Sequence, residues 1–483
     1  MLTHIATLLP SLISSSISAV SALTLTLPPT PPPSSHRVDP SLLSVSIEFF
    51  AFPGYTALAA TTNCLDNVAV LRGAQPAVRI GGTTQDRATF DPGLKTAVNY
   101  TVDSPADAPA SLTFGPPFIS LASQLKGNVT LGLNRQLDNQ PASLAAAILA
   151  KQQMGNLFAI ELGNEPEFYA SNSPIIVDGG KGWNQDVDAA SQKSWFKTFS
   201  ASVGTIFQGA VTLSWTAGGT LSRLGSDGAA LLRSLSRHSY PQSACGGAST
   251  NLPSLMSHAG IVSYTRQYQS EASAAHAAGI EYFLGETNSA TCGGGGISPT
   301  FGAALWIVDY VLQGALNGVD RLYFHQGTIS NCAYCFWGQS SIFTPYYGAA
   351  FVSEFLGADG AQIAMLDDGT GAVAVYVVYS ASSVPVRLLV VNTNYFDGTG
   401  TRSNATVQFS GLLTSSGTKQ AKRLTAPNAT ARVDQGAAVT IGGSPSFSAS
   451  CARNGEQVTE AVQVNGSAMS VSVRASEALI VFL

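Results

Sequence analysis

The chain of 483 residues carries 29 Asp+Glu and 24 Lys+Arg, so charged side chains make up only 11% of it, where about 25% is usual. With 45% hydrophobic residues, 47 Gly and 24 Pro, it is neither a disordered chain nor a coiled coil, both of which need a different balance of charge and apolar surface. A net charge of −5 without any basic run argues against nucleic acid and heparin-like polyanions as partners, since these need a neutralising cationic patch.

Residues 5–22 (IATLLPSLISSSISAVSA) are apolar and small, with Val20 and Ala22 placed before a cleavage site, which predicts a secretory signal over 1–22. Its n-region offers only the Met1 amine and His4, so a buried N-terminal segment is the alternative. Residues 23–40 begin with an alternating apolar tract and pass into a Pro-rich stretch, a strand followed by a stiff connector. From 41 to 352, short β-rich runs alternate with helical segments, which predicts a parallel sheet. Eight strands are expected, at 43–52, 77–82, 128–135, 157–165, 211–219, 233–241, 281–287 and 321–327. Eight such units close a (β/α)8 TIM barrel of α/β class. Helices are expected at 142–154, 186–208 and 301–317, where apolar residues recur every three or four positions.

Over 353–483 the helical period gives way to short alternating runs at 373–380, 386–392, 404–410, 419–425, 436–442 and 469–483. These predict an antiparallel β-sandwich of Greek-key type, with the tract at 23–27 completing its sheet. The six cysteines (Cys64, Cys245, Cys292, Cys332, Cys335, Cys451) suit an oxidising compartment and allow 15 pairings. Cys332-x-x-Cys335 has no second CxxC and no His pair at ligand spacing, so no metal is expected. Sequons at Asn99, Asn128, Asn404, Asn428 and Asn465 add to the expectation of a secreted, extracellular protein. After signal removal no membrane segment is expected, and a monomer is.

In a barrel of this kind the reactive side chains stand at the C-terminal strand ends. There the sequence places Glu48; Arg79, Gln85 and Asp86; Asn134 and Arg135; Asn164 and Glu165; Trp215; His238 and Tyr240; Glu286 and Asn288; His325 and Gln326. Glu165 and Glu286 each end an apolar run, where a carboxylate is costly unless used or paired. For either alone, a cap or salt bridge is the commoner role. Together they are the pair glycoside hydrolysis requires: one acid to protonate the leaving oxygen, one carboxylate to attack or to activate water. Glu161 and Glu167 flank the first candidate but are less well aimed.

Gly163-Asn164-Glu165-Pro166 and Phe283-Leu284-Gly285-Glu286-Thr287 resemble the acid/base and nucleophile motifs of the retaining barrel glycosidases. With Ser46-Ile47-Glu48-Phe49, the segment Arg79 to Asp86 (RIGGTTQD) and His238-Ser239-Tyr240-Pro241, the chain resembles glycoside hydrolase family 79. That family contains fungal and bacterial β-glucuronidases and the heparanases. The resemblance implies Glu165 as general acid/base and Glu286 as nucleophile. It implies Asn164 on the sugar 2-hydroxyl and Tyr240 donating to Glu286. Glu48, Gln85 and Asp86 would bind glycone hydroxyls, and Gly293, Gly294 and Tyr334 the uronate carboxylate. A flexible lid is the competing reading of the glycines. The activity implied is that of an exo-β-glucuronidase acting on terminal β-D-glucuronic acid, with or without a 4-O-methyl group, and needing no cofactor. An endo-acting heparanase or hyaluronidase, and a non-catalytic carbohydrate-binding wall protein, are the alternatives.

Overall fold

The computed structural model describes residues 23–414, 416–445 and 447–483; the predicted signal over 1–22 lies outside the described residues. Eight parallel strands close a barrel: Leu43–Glu48, Val78–Gly81, Val129–Leu133, Leu157–Leu162, Phe207–Thr212, Leu232–Ser239, Glu281–Thr287 and Arg321–Gln326. Closure is direct, since Leu322 to Gln326 of the eighth strand pair with Leu43 to Ile47 of the first. Most strand residues are buried on both faces, which is why the runs read as near-continuous apolar sequence.

The fifth strand is a correction. The run 211–219 alternates like a strand, yet the strand is Phe207–Thr212 and the following helix starts at Ala217. Ala210 and Val211 both take positive φ, and the pairing with the sixth strand shifts register there. The preceding helix accordingly stops at Val203 instead of running to 208.

Twelve further strands form one sheet, otherwise antiparallel, to which the N-terminal tract adds an outer strand, while a two-stranded and a three-stranded sheet stand apart from it. Leu23–Thr26 pair in parallel with Val407 to Ser410, and His36–Arg37 pair with Gln362 and Ile363 near its other end. Strands Gly360–Met365 and Glu460–Asn465 were not among the predicted runs. Val375, Leu388, Val407, Phe409, Val471 and Leu479 share one buried cluster although they come from well-separated strands, so the sheet folds over on itself as a sandwich.

Helix Phe301–Leu316, apolar around most of its surface apart from Asp309 and Gln313, is buried along Phe301 to Ala315, as a helix hydrophobic on nearly all sides must be. It lies against the β-domain, whose Ala431 and Ala429 carbonyls accept the Phe301 and Gly302 N–H groups at 2.9 and 2.7 Å. The cysteines pair as Cys64–Cys451, Cys245–Cys292 and Cys332–Cys335.

Candidate active site

The fourth barrel strand ends in Gly163 at φ 85° and Glu165 at φ 46°. For a non-glycine residue this left-handed backbone is uncommon, and such strain clusters at functional sites. The Glu165 N–H donates to the Val211 carbonyl (2.9 Å), so the irregular fifth strand holds the turn that aims this side chain. A Cβ at position 163 would lie 2.5 Å from the Tyr169 hydroxyl, hence glycine there.

Glu165 and Glu286 converge at the barrel mouth: an oxygen of each and a ring nitrogen of His238 all lie within 4.8 Å of one another. His238 Nδ1 is 2.8 Å from Glu165 Oε1, while its Nε2 is buried without a partner among the described residues. Tyr240 Oη donates to Glu286 Oε1 (2.7 Å) and Arg79 Nη1 to Glu286 Oε2 (2.6 Å). Burial alone would raise the Glu286 carboxyl, but His325, His238 and Arg79, with the Tyr240 hydrogen bond, hold it well below the usual carboxylate range. It is therefore ionised at neutral pH, as an attacking group must be. Burial, and then the Glu286 charge, push the Tyr240 phenol well above its ordinary value, keeping it a donor.

Beneath the carboxylates the barrel interior is polar. Arg79, fully buried, also donates to Glu161 (2.5 Å), Asn164 Oδ1 (2.8 Å) and Ser46 Oγ (3.2 Å). Gln208 Nε2 donates to Glu161 (2.6 Å), and Gln208 Oε1 accepts from Ser234 Oγ (2.8 Å). The buried arginine is itself paired, bridging two carboxylates, and it fixes Glu286 from below.

Over this floor opens a cavity of about 840 Å³ lined by Glu48, Thr83, Glu165, Phe168, Leu213, Tyr240, Glu286, Gly293, His325 and Tyr334 among others. Glu48 Oε1 accepts the Thr84 N–H (2.9 Å) and Glu48 Oε2 lies 3.3 Å from His325 Nε2. Gly82, at φ 108°, lets this carboxylate approach: a Cβ there would be 2.5 Å from Glu48 Oε2. Burial would lower the His325 imidazole, but Glu286 and Glu48 carry it above its ordinary value.

Of the residues expected to touch sugar, Glu48, Tyr240, Gly293 and Tyr334 line the cavity with the two catalytic candidates, whereas Gln85, Asp86, Asn164 and Gly294 do not. Asp86 is consumed inside the fold: Oδ1 accepts the Arg135 and Gln136 N–H groups (2.9 and 3.2 Å), and Oδ2 accepts Asn164 N–H and Tyr169 Oη (2.6 and 2.7 Å). Gln85 is buried with its Oε1 on the Gly82 N–H (3.1 Å). Asn164 gives its side-chain oxygen to Arg79. The Gly294 N–H closes a turn onto Thr291 (3.2 Å), while the Gly293 N–H has no acceptor among the described residues.

Two disulfides frame this side of the cavity. Cys245–Cys292 ties the loop after the sixth strand to the residue before Gly293, and Cys332–Cys335 brackets Tyr334. The Ala333 N–H donates to the Gly293 carbonyl (2.9 Å), binding the two loops together. Burial and the charges of Glu286 and Glu48 keep the Tyr334 phenol neutral, well above its ordinary value. Arg79, His238 and His325 had no assigned role in the sequence. The available signal was rarity, since only six histidines occur in the chain and two of them end barrel strands.

A closed parallel barrel with paired carboxylates converging at its mouth defines a barrel glycoside hydrolase. Residues 375–480 match the glycosyl hydrolase family 79 C-terminal beta domain. The chain is 32% identical to a β-glucuronidase of Aspergillus niger over 412 residues (75% of this chain, 73% of that one). With a β-glucuronidase of Neurospora crassa the identity is 28% over 445 residues (79% and 77%). The solved 4-O-α-L-rhamnosyl-β-D-glucuronidase of Fusarium oxysporum 12S superposes with a TM-score of 0.91 at 42% identity, covering 95% of this chain and all of that one. A family 51 α-L-arabinofuranosidase of Bifidobacterium longum, at 14% identity and a TM-score of 0.65, shares the fold. The chain belongs to glycoside hydrolase family 79.

Proposed function

We propose that this glycoside hydrolase is a retaining exo-β-glucuronidase, releasing terminal β-D-glucuronic acid, with or without a 4-O-methyl group, from glycans by double displacement. The observation that carries the reading is the approach of Glu165 and Glu286 oxygens to within 4.8 Å, on the side of the roughly 5–5.5 Å carboxyl separation of retaining enzymes and not the roughly 6.5–9.5 Å of inverting ones. Glu165 protonates the leaving oxygen as Glu286 attacks C1, forming a glycosyl-enzyme ester. Glu165, now a carboxylate, then takes a proton from water, which attacks C1 and releases Glu286. The free Gly293 N–H and the neutral Tyr334 hydroxyl are donors for the uronate carboxylate.

A second reading concerns the unit released. The relative at 42% identity is named for a 4-O-rhamnosylated glucuronoside, and the cavity here exceeds what one sugar ring fills, which supports release of a glucuronosyl unit carrying a sugar on O4. The enzyme is secreted and acts as a monomer. All six cysteines are disulfide-bonded, and four of the five sequon asparagines are exposed, Asn428 being half-buried. No helix among the described residues is long and apolar enough to cross a membrane.

The test compares p-nitrophenyl β-glucuronide, its 4-O-rhamnosyl derivative, the β-glucoside, the β-galactoside and polymeric heparan. Turnover confined to the glucuronides, with the β-anomer formed first by NMR, supports the reading. Preference for the β-glucoside, or an α-anomer formed first, refutes it.

A further inference from the structure

The cavity lining divides chemically across the barrel mouth. Glu48 and His325 come from the first and eighth strands, with Tyr334 and Gly293 from adjoining loops; Phe168 and Leu213 follow the fourth and fifth strands, on the opposite side of the ring. The first group is polar. The second is apolar and stands beside Glu165, the group that protonates the leaving oxygen.

Phe168 is 60% exposed, so it is not there to fill a core, and yet the turn that carries it is fixed on every side. Its N–H donates to the Glu165 carbonyl (2.9 Å). Glu167 Oε1 accepts the Leu213 and Ser214 N–H groups (2.6 and 2.7 Å), locking the two loops edge to edge. Trp183 Nε1 donates to the Pro166 carbonyl (2.9 Å), and Tyr169 Oη to Asp86. An apolar ring carried on a fixed turn at the rim of a polar cavity is a surface prepared for a ligand. Its position past the acid/base selects which part of the substrate it meets.

We propose that Phe168, with Leu213 beside it, forms the leaving-group subsite and stacks on the C–H face of a pyranose, so that the enzyme prefers a sugar to a small aglycone. This rests on the glucuronidase reading of the same cavity, but not on what substituent the glycone carries at O4. A pyranose presents axial C–H groups that lose contact with water against an aromatic face, and Phe168 supplies that face without a hydrogen-bonding demand for one particular sugar.

The experiment measures kcat/KM on β-D-glucuronosyl-(1→6)-D-galactose and on β-D-glucuronyl fluoride, whose leaving group reaches no subsite beyond the scissile bond, for wild type, Phe168→Ala and Phe168→Trp. Phe168→Ala is expected to lose about tenfold or more on the disaccharide, mostly in KM, and to stay within about twofold on the fluoride. Phe168→Trp is expected to keep the disaccharide rate. Equal losses on both substrates, or no loss on the disaccharide, would overturn the subsite. Wild type that turns over β-glucosyl fluoride but neither glucuronide overturns the substrate reading, and the uronoside subsite with it. The exposed position of Phe168 keeps folding out of the comparison, and an unchanged Tm verifies this.

Discussion

Glu286 is an ionised carboxylate in a buried place, and its neighbours divide the work of keeping it so. Arg79 supplies charge from below and Tyr240 a hydrogen bond from the side. Replacing Tyr240 by Phe removes the donor and lets the Glu286 carboxyl rise toward its ordinary value. With Glu286 as the proposed nucleophile, which must be ionised, the acid limb of the kcat/KM profile should move to higher pH by about one unit, the worth of one hydrogen bond to a charged group; a pH–rate profile on an aryl glucuronide checks it. Glu165→Ala should show the complementary signature. The loss should be about a hundredfold or more on a glycan, whose leaving oxygen needs a proton, but small in the first step on a dinitrophenyl glucuronide, which needs none. Burst kinetics separate the two steps. The two carboxylates and Tyr240 were legible in sequence because their motifs end barrel strands. Asp86 and Gln85 sit at equally good positions, and what the sequence hides is direction: both turn down to neighbouring backbone N–H groups and not into the cavity.

Elements carry the next level of order. The short loop closed by Cys332–Cys335 holds Tyr334 at the cavity, and through Ala333 it is hydrogen-bonded to the Gly293 loop. With Tyr334 and Gly293 as the proposed donors to the uronate, the double variant Cys332→Ser, Cys335→Ser should raise KM for glucuronides about tenfold while leaving kcat within about threefold, because ground-state binding and not the chemical step is loosened. Steady-state kinetics with a Tm measurement distinguish this from unfolding. Seven barrel strands were readable as short apolar runs ahead of helical periodicity. The fifth was displaced because Ala210 and Val211 break the regular backbone, and Ile206 and Phe207 continue the apolar period of the preceding helix. Strands Gly360–Met365 and Glu460–Asn465 escaped because neither carries a long alternating run: one follows directly on a helix, the other lies among polar residues.

At the scale of the molecule, barrel and β-domain are joined by covalent and ionic links. Cys64–Cys451 spans 387 positions, and a cross-link over so long a loop contributes about 6 kcal/mol in the chain-entropy model. Buried His258 bridges Asp309 on helix Phe301–Leu316 (2.8 Å) and Asp367 of the β-domain (2.9 Å), while Tyr376 Oη and Gln313 complete the cluster. Burial would lower the imidazole, but the two aspartates raise it from 6.5 to about 10. Its contribution is complete below about pH 6.5 and is lost as pH rises through about 10. His258→Gln should destabilise the protein by about 3–5 kcal/mol at pH 6, since two buried carboxylates lose their cation, and the gap to wild type should narrow toward pH 10. Urea unfolding across that range tests it; a gap independent of pH would remove the imidazolium from the account.

The outer strand Leu23–Thr26 finds its partner only at Val407 to Ser410. A ribosome making about 5–20 residues per second leaves that apolar tract waiting roughly 20–80 s for its neighbour. For that interval the barrel can close while the sandwich cannot, and an unpaired strand is what chaperones bind and other chains pair with. Biogenesis of this enzyme is thus paced by the distance between its two ends, and variants that slow completion of the last strands should aggregate during synthesis even where the finished fold is stable.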